Sequence, residues 1–300
     1  MTTRANGPLA GLAWLKRGLN SGRHNPRAIF GGAALLMVAA LVPMFLQAFV
    51  HAVVKPGPGG ATVIAALATV LAVMLLGPLM GGYLRVIDAS ERGQPAHAAD
   101  VLAPFRDPQD ARRLIAFSFV MLLLQLGAQA LLVGLFGQVL QNLQEWYVRA
   151  IELLQQATPG KPAQLPPPPE GLGGLFSLGG LIALFIAAVF AVGLGQVALR
   201  GRGIGAALLE GLAGAARNLF PLLVMAAVAF ALMMAAALTL LLVAGVLGML
   251  HPLLAVVVFL PLYMAFVLVL YVVMFGVMYH LWRDVAGDAP PAAATAGFEA

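Results

Sequence analysis

Histidine is the first residue type to consider, because an imidazole can hold a metal ion or carry a proton. His51, His251 and His280 each fall at the end of a long apolar run. Two or three scattered histidines without a neighbouring carboxylate are too few ligands for a metal centre. We therefore expect these histidines to be interfacial groups in contact with water, and we expect no metal or cofactor site.

Catalytic motifs are the next feature to consider, and the sequence contains none. It lacks G-x-x-x-x-G-K-[ST], H-E-x-x-H, G-x-S-x-G and an EF-hand loop. The glycine-rich stretch 201–205 has the wrong spacing for a phosphate loop and no strand before it, so we interpret it as a basic turn. There is no cysteine, hence no thiol nucleophile. We expect no catalytic residue and a protein that is not an enzyme.

Charged side chains are concentrated in the segment 85–113, which holds five acidic and five basic residues. Mixed charges favour salt bridges at a membrane surface, and the carboxylates do not follow the spacing of a Ca²⁺ loop. A short helix beginning near Asp100 is expected to press apolar side chains onto the membrane or the bundle. The residues predicted to form a cytoplasmic interaction loop are Asp88, Glu91, Arg92, Asp100 and Phe105.

The polar side chains inside the apolar runs are glutamines rather than charged groups. Gln125 and Gln129 are one helical turn apart, and Gln196 lies in a later run. Ionisable groups persist in hydrocarbon mainly for function, so their absence from the middle of the runs weakens a transporter hypothesis. The glutamines can line a substrate path or bond a neighbouring helix, and we favour the packing role.

The elements that hold these residues are long and apolar. Hydrophobic residues make up 61% of the 300 residues and charged residues only 10%, whereas soluble proteins have about 25% charged residues. About 20 apolar residues suffice for a helix to cross a bilayer. The sequence therefore predicts an all-α, polytopic transmembrane helix bundle of about six spans. Their expected ranges are 28–53, 61–87, 114–140, 175–199, 219–244 and 253–280.

The last two spans come from one long uncharged stretch, and His251-Pro252 is the turn signal that divides it. Orientation follows from the basic residues, because fourteen Lys and Arg lie on the side of the N-terminus and three on the other. We expect the bacterial inner membrane, with both termini in the cytoplasm and no removable signal peptide. Trp14, Trp146 and Trp282 fall outside the middles of the spans and are expected at headgroup level.

The remaining segments complete the predicted domain map. Residues 1–27 form a cytoplasmic segment with an amphipathic interfacial helix over 8–23, which either recognises anionic lipid or anchors the first span, the role we favour. Residues 28–283 form a single transmembrane domain. Within it, 141–174 holds an outer amphipathic helix, which either continues the third span or lies flat, and a Pro-rich linker. Residues 284–300 are expected to be a disordered tail.

Two further patterns concern packing and repetition. Gly77 and Gly81 form a G-x-x-x-G, which favours a tight bundle or a homodimer. The sequence Gly18-Leu19 with Asn25 is echoed by Gly211-Leu212 with Asn218, each before a pair of apolar runs. The echo suggests a duplicated unit of one surface helix and two spans.

The motifs of the first 115 residues resemble those of a known family. The first set is Gly11, Trp14, Leu15, Lys16, Gly18, Asn25 and Pro26, and the second is Gly77, Pro78, Leu79, Gly81, Arg92, Gly93, Asp100, Val101, Leu102 and Phe105. Together they resemble a family of uncharacterised proteobacterial multi-pass inner-membrane proteins. The resemblance implies a helical membrane fold and no mechanism, and the long outer segment 141–174 departs from the family pattern.

The function expected from these observations is that of a non-enzymatic integral membrane protein acting through helix packing with lipids or partner proteins. The alternative is a transporter or lipid-handling protein for an apolar or amphiphilic substrate. Expected partners are the lipid bilayer, anionic lipid at the inner leaflet, and a second copy or another membrane protein. We expect no nucleic-acid partner.

Overall fold

The structure, a computed structural model, describes residues 3–156 and 165–287. These residues form eight α-helices and one 3₁₀ helix, and the described part of the chain contains no strand. The helices are α1 (Ala10–Asn20), α2 (Pro26–Val54), α3 (Pro58–Glu91), the 3₁₀ helix (Ala98–Arg106), α4 (Pro108–Gln155), α5 (Leu172–Arg200), α6 (Ile204–Arg217), α7 (Leu219–Leu250) and α8 (Pro252–Val285). The predicted all-α architecture is confirmed.

Six of these helices, α2, α3, α4, α5, α7 and α8, are long and apolar enough to cross a membrane. The shortest of the six, α2 and α5, have 29 residues each, more than the about 20 that a crossing needs. The predicted number of spans is confirmed. The helices extend beyond the predicted ranges at most ends.

The turn between α7 and α8 forms where the sequence predicted it. The His251 side chain accepts a hydrogen bond from the backbone N–H of Leu253 at 3.1 Å, and Pro252 occupies the first turn of α8. Proline is well suited to that position because it lacks the N–H that would be unsatisfied there. The last uncharged stretch therefore forms two long helices rather than three.

One compact unit comprises Met1–Phe119 and Ala187–Ala300. At its centre the Tyr83 hydroxyl donates to the backbone oxygen of Ile29 at 3.0 Å, and the Tyr83 ring packs edge-on against Phe275 at 5.1 Å between centroids. All three residues are at most 1% exposed. This cluster joins α2, α3 and α8 in one core.

The 3₁₀ helix packs against α2 and α3 through a close backbone approach. A Cβ on Gly82 would lie 2.1 Å from the backbone oxygen of Val101, and one on Gly32 would lie 3.0 Å from the Val101 side chain. Val101 is fully buried, whereas Leu102 and Phe105 are 46% and 42% exposed. These are the apolar side chains expected to press onto the membrane or the bundle, and of the three Val101 meets the bundle.

The G-x-x-x-G of α3 is used within the chain. A Cβ on Gly81 would lie 2.6 Å from the side chain of Leu114, and one on Gly77 would lie 2.6 Å from that of Ser118. Both partners belong to the first turns of α4. In this chain the motif therefore serves packing between α3 and α4, the tight-bundle alternative.

The second compact unit is Val120–Ile186, which contains most of α4 and the first half of α5. Helix α4 is interrupted at Phe136, where φ is −125° and ψ is 21°, and then continues to Gln155. The segment predicted to be an outer amphipathic helix lies in the helical part that follows this kink. The Trp146 indole donates to the backbone oxygen of Pro166 at 2.9 Å. Much of the predicted Pro-rich linker, 157–164, lies outside the described residues.

The order of helices agrees with the predicted duplication. A short helix followed by two long helices occurs as α1, α2 and α3 and again as α6, α7 and α8. Helix α8 also extends to Val285, so residues 284 and 285 are helical where a disordered tail was predicted. Residues 288–300, which make up most of that prediction, lie outside the described part of the chain.

Candidate functional site

The site begins with α1, which packs against α7 and α8 of its own unit. A Cβ on Gly11 would lie 2.1 Å from the backbone oxygen of Pro221, so only glycine permits this approach. Trp14 is 0% and Leu15 9% exposed. The predicted α1 is therefore present, and protein covers Trp14 and Leu15 on its apolar side. Leu9 and Leu19 remain 70% and 55% exposed.

Asp284 anchors α1 to the end of α8. Its carboxylate accepts a hydrogen bond from the indole N–H of Trp14 at 2.9 Å and forms an ion pair with Arg17. Trp282, in the same turn, is 2% exposed. Trp14 and Trp282 are therefore buried against protein, and their placement at headgroup level stays a prediction. Trp146 stays half-buried in the second unit.

The segment before α1 caps the end of α8. The Arg4 guanidinium donates to the backbone oxygens of Arg283 at 2.8 Å, Asp284 at 2.9 Å and Gly287 at 2.8 Å. A cation at the C-terminus of a helix satisfies free carbonyls and interacts favourably with the helix dipole. Asn218, fully buried, accepts from the backbone N–H of Asn6 at 2.9 Å. The beginning of the chain is thereby fixed to α8 and to the start of α7.

A cavity of about 440 Å³ opens between α1, the α1–α2 turn, α3 and α8. Its charged and titratable lining residues are Lys16, Arg17, Arg23, His24, Glu91 and His280. Lysine and arginine therefore outnumber carboxylates three to one in the lining. Lys16 and Arg23 have exposed side chains, and neither has an ion-pair partner among the described residues. The cavity is thus a basic site.

His280 forms a buried part of this lining. It is 1% exposed, and neither ring nitrogen has a hydrogen-bond partner within the described residues. Nε2 lies 4.0 Å from the carboxylate of Glu91, and the Tyr279 ring packs edge-on at 5.2 Å. The expected interfacial histidine in contact with water is not found here, because the ends of α3 and α8 close over the imidazole.

His51 and His251 behave as local helix residues. His51 Nδ1 lies 2.9 Å from the backbone oxygen of Gln47, one turn earlier in α2, and His251 caps α8 as described above. Both rings are thus engaged by their own helix turns. Among the described residues no group of three or more His, Asp or Glu side chains has the arrangement of a metal site.

The predicted interaction loop separates into two parts. Asp88 lies in the last turns of α3, where it accepts hydrogen bonds from the Tyr279 hydroxyl and from Arg92 Nε, both at 2.9 Å. Its charge raises the pKa of Arg92 above the ordinary value. Glu91, in the same turn, faces His280. These three loop residues therefore contact or line the α3–α8 end of the unit.

The other part belongs to the 3₁₀ helix. Asp100 accepts a hydrogen bond from the backbone N–H of His97 at 2.7 Å and so caps that helix, which is a structural role. Phe105 is partly exposed on the same element. The structure therefore brings Asp88 and Glu91 together at the end of α3, while Asp100 and Phe105 serve a different surface.

Arg85 is an important residue that the sequence interpretation did not single out. Its guanidinium forms a two-point ion pair with Asp110 at 2.5 and 2.8 Å, and its Nε donates to the backbone oxygen of Ala198 at 2.9 Å. It thereby joins α3, the start of α4 and the end of α5. The expectation of salt bridges within the charged segment is correct here and for Arg92 with Asp88.

The three predicted glutamines do not share one environment. Gln196 is 1% exposed near the end of α5, where its amide donates to Glu210, and its Oε1 has no partner in the described residues. In the second unit Gln125 is half-buried and Gln129 exposed, and neither makes a hydrogen bond within the described ranges. Gln196 thus has a packing role, whereas the α4 pair is left with unsatisfied amides.

The fold defines the class of protein to which this chain belongs. Six long apolar helices are those of a multi-pass helical membrane protein. No family model, curated protein or solved structure matches the chain.

Proposed function

We propose that this chain is a non-enzymatic protein of the bacterial inner membrane that acts through helix packing with partner proteins or lipids. The observation that carries the proposal is the surface of α7. None of the residues in the most apolar 18-residue stretch of α7 is buried within the chain. Leu241 and Leu242, for example, are 68% and 69% exposed. Such a surface requires lipid or another protein to cover it.

The α4 glutamines support a protein partner over lipid alone. An amide with no hydrogen bond is costly in hydrocarbon, and a neighbouring helix can satisfy it. Gln129 is exposed on α4, one turn from Gln125. A second copy of this chain or another membrane protein with a polar helix face would supply the missing partner.

The proposed orientation has both termini in the cytoplasm. Its basis is the excess of Lys and Arg on one side. It is supported by the contact between Arg4 and the end of α8, since that contact requires the two ends of the described chain to share one side of the membrane. The resemblance to proteobacterial inner-membrane proteins agrees with this proposal.

A topology experiment tests the membrane orientation. The chain has no cysteine, so single cysteines can be labelled without background. With a membrane-impermeant maleimide added to intact spheroplasts, Lys55→Cys should be labelled and Arg106→Cys should be protected until the membrane is opened. Labelling of Arg106→Cys but not Lys55→Cys in intact spheroplasts would reverse the orientation.

A cross-linking experiment tests the mode of action. A photoreactive residue at Leu241 should form an adduct with a protein in the native membrane, while the same residue at Leu209, equally exposed on α6, serves as the control. Leu209 belongs to a helix outside the six long ones and should give no such adduct. Lipid adducts alone at Leu241 would refute the protein-partner form of the proposal.

The alternative function is lipid handling or transport of an amphiphilic substrate. The basic cavity between α1, α3 and α8 is the observation that favours it, because a headgroup could bind there. Under that hypothesis, purified protein in vesicles would accelerate the movement of a fluorescent phospholipid between leaflets or membranes, whereas a purely packing role predicts the rate of protein-free vesicles.

A further inference from the structure

We propose that the basic cavity binds the headgroup of a phospholipid, with the phosphate on Lys16 and Arg23 and a hydrogen-bond donor of the headgroup on Glu91. This assignment deepens the lipid contact of the proposed function and rests on that contact. The cavity volume of about 440 Å³ falls within the usual range of small-ligand sites, about 300 to 1,000 Å³. It suits a phosphate with a small polar substituent, leaving the acyl chains outside.

The cations provide the first step of the argument. Arg17 is already paired with Asp284. Lys16 and Arg23, by contrast, line the same cavity without an ion-pair partner in the described part of the chain. Lysine and arginine bind phosphate oxygens by charge-assisted hydrogen bonds, which are stronger than neutral ones. Two unpaired cations in one concave site therefore match the phosphate diester of a lipid.

His280 provides a second, independent observation. It is 1% exposed, it lines the cavity, and both its ring nitrogens lack a hydrogen-bond partner among the described residues. Buried polar groups in native proteins almost always have a partner, so an imidazole left unpaired at a cavity wall indicates a missing one. A polar ligand in the cavity would supply it.

Glu91 restricts the chemistry of the headgroup. A carboxylate accepts hydrogen bonds and repels the phosphate, so it needs a donor elsewhere on the ligand. Its carboxylate lies 4.0 Å from His280 Nε2 and is 14% exposed, which leaves little water to satisfy it. A headgroup with hydroxyl or primary ammonium donors, as in phosphatidylglycerol or phosphatidylethanolamine, fits. Phosphatidylcholine, whose quaternary nitrogen has no N–H, fits poorly.

The test uses the full chain in nanodiscs with equal amounts of the three lipids, and native mass spectrometry reads the lipid retained. The wild-type protein should retain phosphatidylglycerol or phosphatidylethanolamine in preference to phosphatidylcholine. The double variant Lys16→Gln/Arg23→Gln should lose lipid occupancy by about tenfold, since each lost charge-assisted bond weakens binding substantially. Unchanged retention in this variant would overturn the proposal.

A matched control removes the same charge outside the cavity. Arg27 and Arg106 are exposed and do not line it, so Arg27→Gln/Arg106→Gln should retain lipid as the wild-type protein does. An equal loss in both double variants would mean nonspecific attraction to the surface and would also overturn the site. Thermal unfolding of each variant, expected to match wild type, separates binding from misfolding.

Two further readouts distinguish the source and the selectivity of the ligand. Glu91→Gln should retain the phosphate but lose the preference over phosphatidylcholine, and an unchanged preference would refute the role of Glu91. Inorganic phosphate or glycerol phosphate, added in excess, should leave the retained lipid in place. Displacement by either would make this a site for soluble phosphate. Cysteine labelling is independent, so a reversed orientation with normal lipid retention would refute the orientation alone.

Discussion

At the residue scale, a group of polar contacts joins the two ends of the described chain. Asp284 accepts a hydrogen bond from Trp14 and pairs with Arg17, while Arg4 binds the carbonyls of the same turn of α8. The carboxylate is 27% and the Arg17 guanidinium 32% exposed, so both groups are largely shielded from water. Removing one partner from such a pair leaves the other charge poorly solvated.

We predict that Asp284→Ala destabilises the protein by about 1 to 3 kcal/mol, the cost of leaving buried donors without their acceptor. Two donors, the Trp14 indole and the Arg17 guanidinium, lose their partner at once. The free energy of unfolding would be measured by far-ultraviolet circular dichroism in a mild detergent as denaturant is added.

The control for this change is Glu145→Ala. Glu145 pairs with Arg149 at 3.6 Å, but the two side chains are 67% and 71% exposed. Exposed pairs contribute little, so this variant should be as stable as the wild-type protein. If both variants unfold at the same denaturant concentration, Asp284 has no special role.

At the element scale, the 3₁₀ helix depends on the absence of one side chain. Gly82 lets the backbone of Val101 approach α3, and a Cβ there would lie 2.1 Å from the Val101 oxygen. The obstacle is backbone, which cannot rotate away as a flexible side chain can. The fit between α3 and the 3₁₀ helix is therefore intolerant of even one methyl group.

Gly82→Ala should destabilise the unit by about 1 to 3 kcal/mol, as overpacking of a close contact commonly does. It should also expose the 3₁₀ helix, which limited proteolysis would report as faster cleavage within 98–106. Gly127→Ala is the matched control, because nothing lies within 4 Å of its added Cβ and alanine is the better helix former. Faster cleavage in the control, or none in Gly82→Ala, would contradict this account.

The elements also show how far the sequence can be interpreted. The long helices follow from apolar runs, and the α7–α8 turn follows from one proline, because these signals are local. The packing of α1 cannot be predicted from local signals, because Gly11 contacts Pro221, a residue distant in the chain. Amphipathic spacing identified the helix correctly but could not distinguish lipid from protein as the cover of its apolar face.

The same limit applies to the candidate site. The carboxylates of the charged segment and the basic residues of 1–27 are visible in the sequence, as is His280. The sequence does not show that these residues line one cavity, because that depends on the packing of α1 against α8. Burial of His280 depends on how the ends of α3 and α8 meet, and a histidine at the end of an apolar run is typical of both exposed and buried positions.

At the scale of the whole molecule, the end of α8 is buried under α1, whereas the most apolar parts of α7 and α8 are exposed. The most apolar windows of α7 and α8 are 0% and 6% buried, against 28% for α2. Their side chains contact few others within the chain, while buried polar contacts accumulate around α1 and the end of α8. This distribution is what a chain that completes its packing with lipid or a partner requires.

The α4 glutamines provide the test of whether that partner is a protein. Gln125→Leu/Gln129→Leu removes two amides that have no hydrogen bond within the described residues, so the stability of the isolated chain should not fall. If a partner helix bonds them, association should weaken by about 0.6 to 2 kcal/mol, or roughly threefold to thirtyfold. Resonance energy transfer between labelled copies in vesicles, followed as lipid dilutes them, measures this for a second copy.

Thr239→Val is the control, because the Thr239 hydroxyl already donates to the backbone oxygen of Ala235 in its own helix. This change removes a hydroxyl whose hydrogen bond is already made within its own helix, so association should stay at the wild-type level. Equal association of all three proteins would exclude a role for the glutamines in pairing copies. If association weakens only in the glutamine variant, α4 belongs to the interface. The reason is that removing its amides then breaks hydrogen bonds with the partner copy.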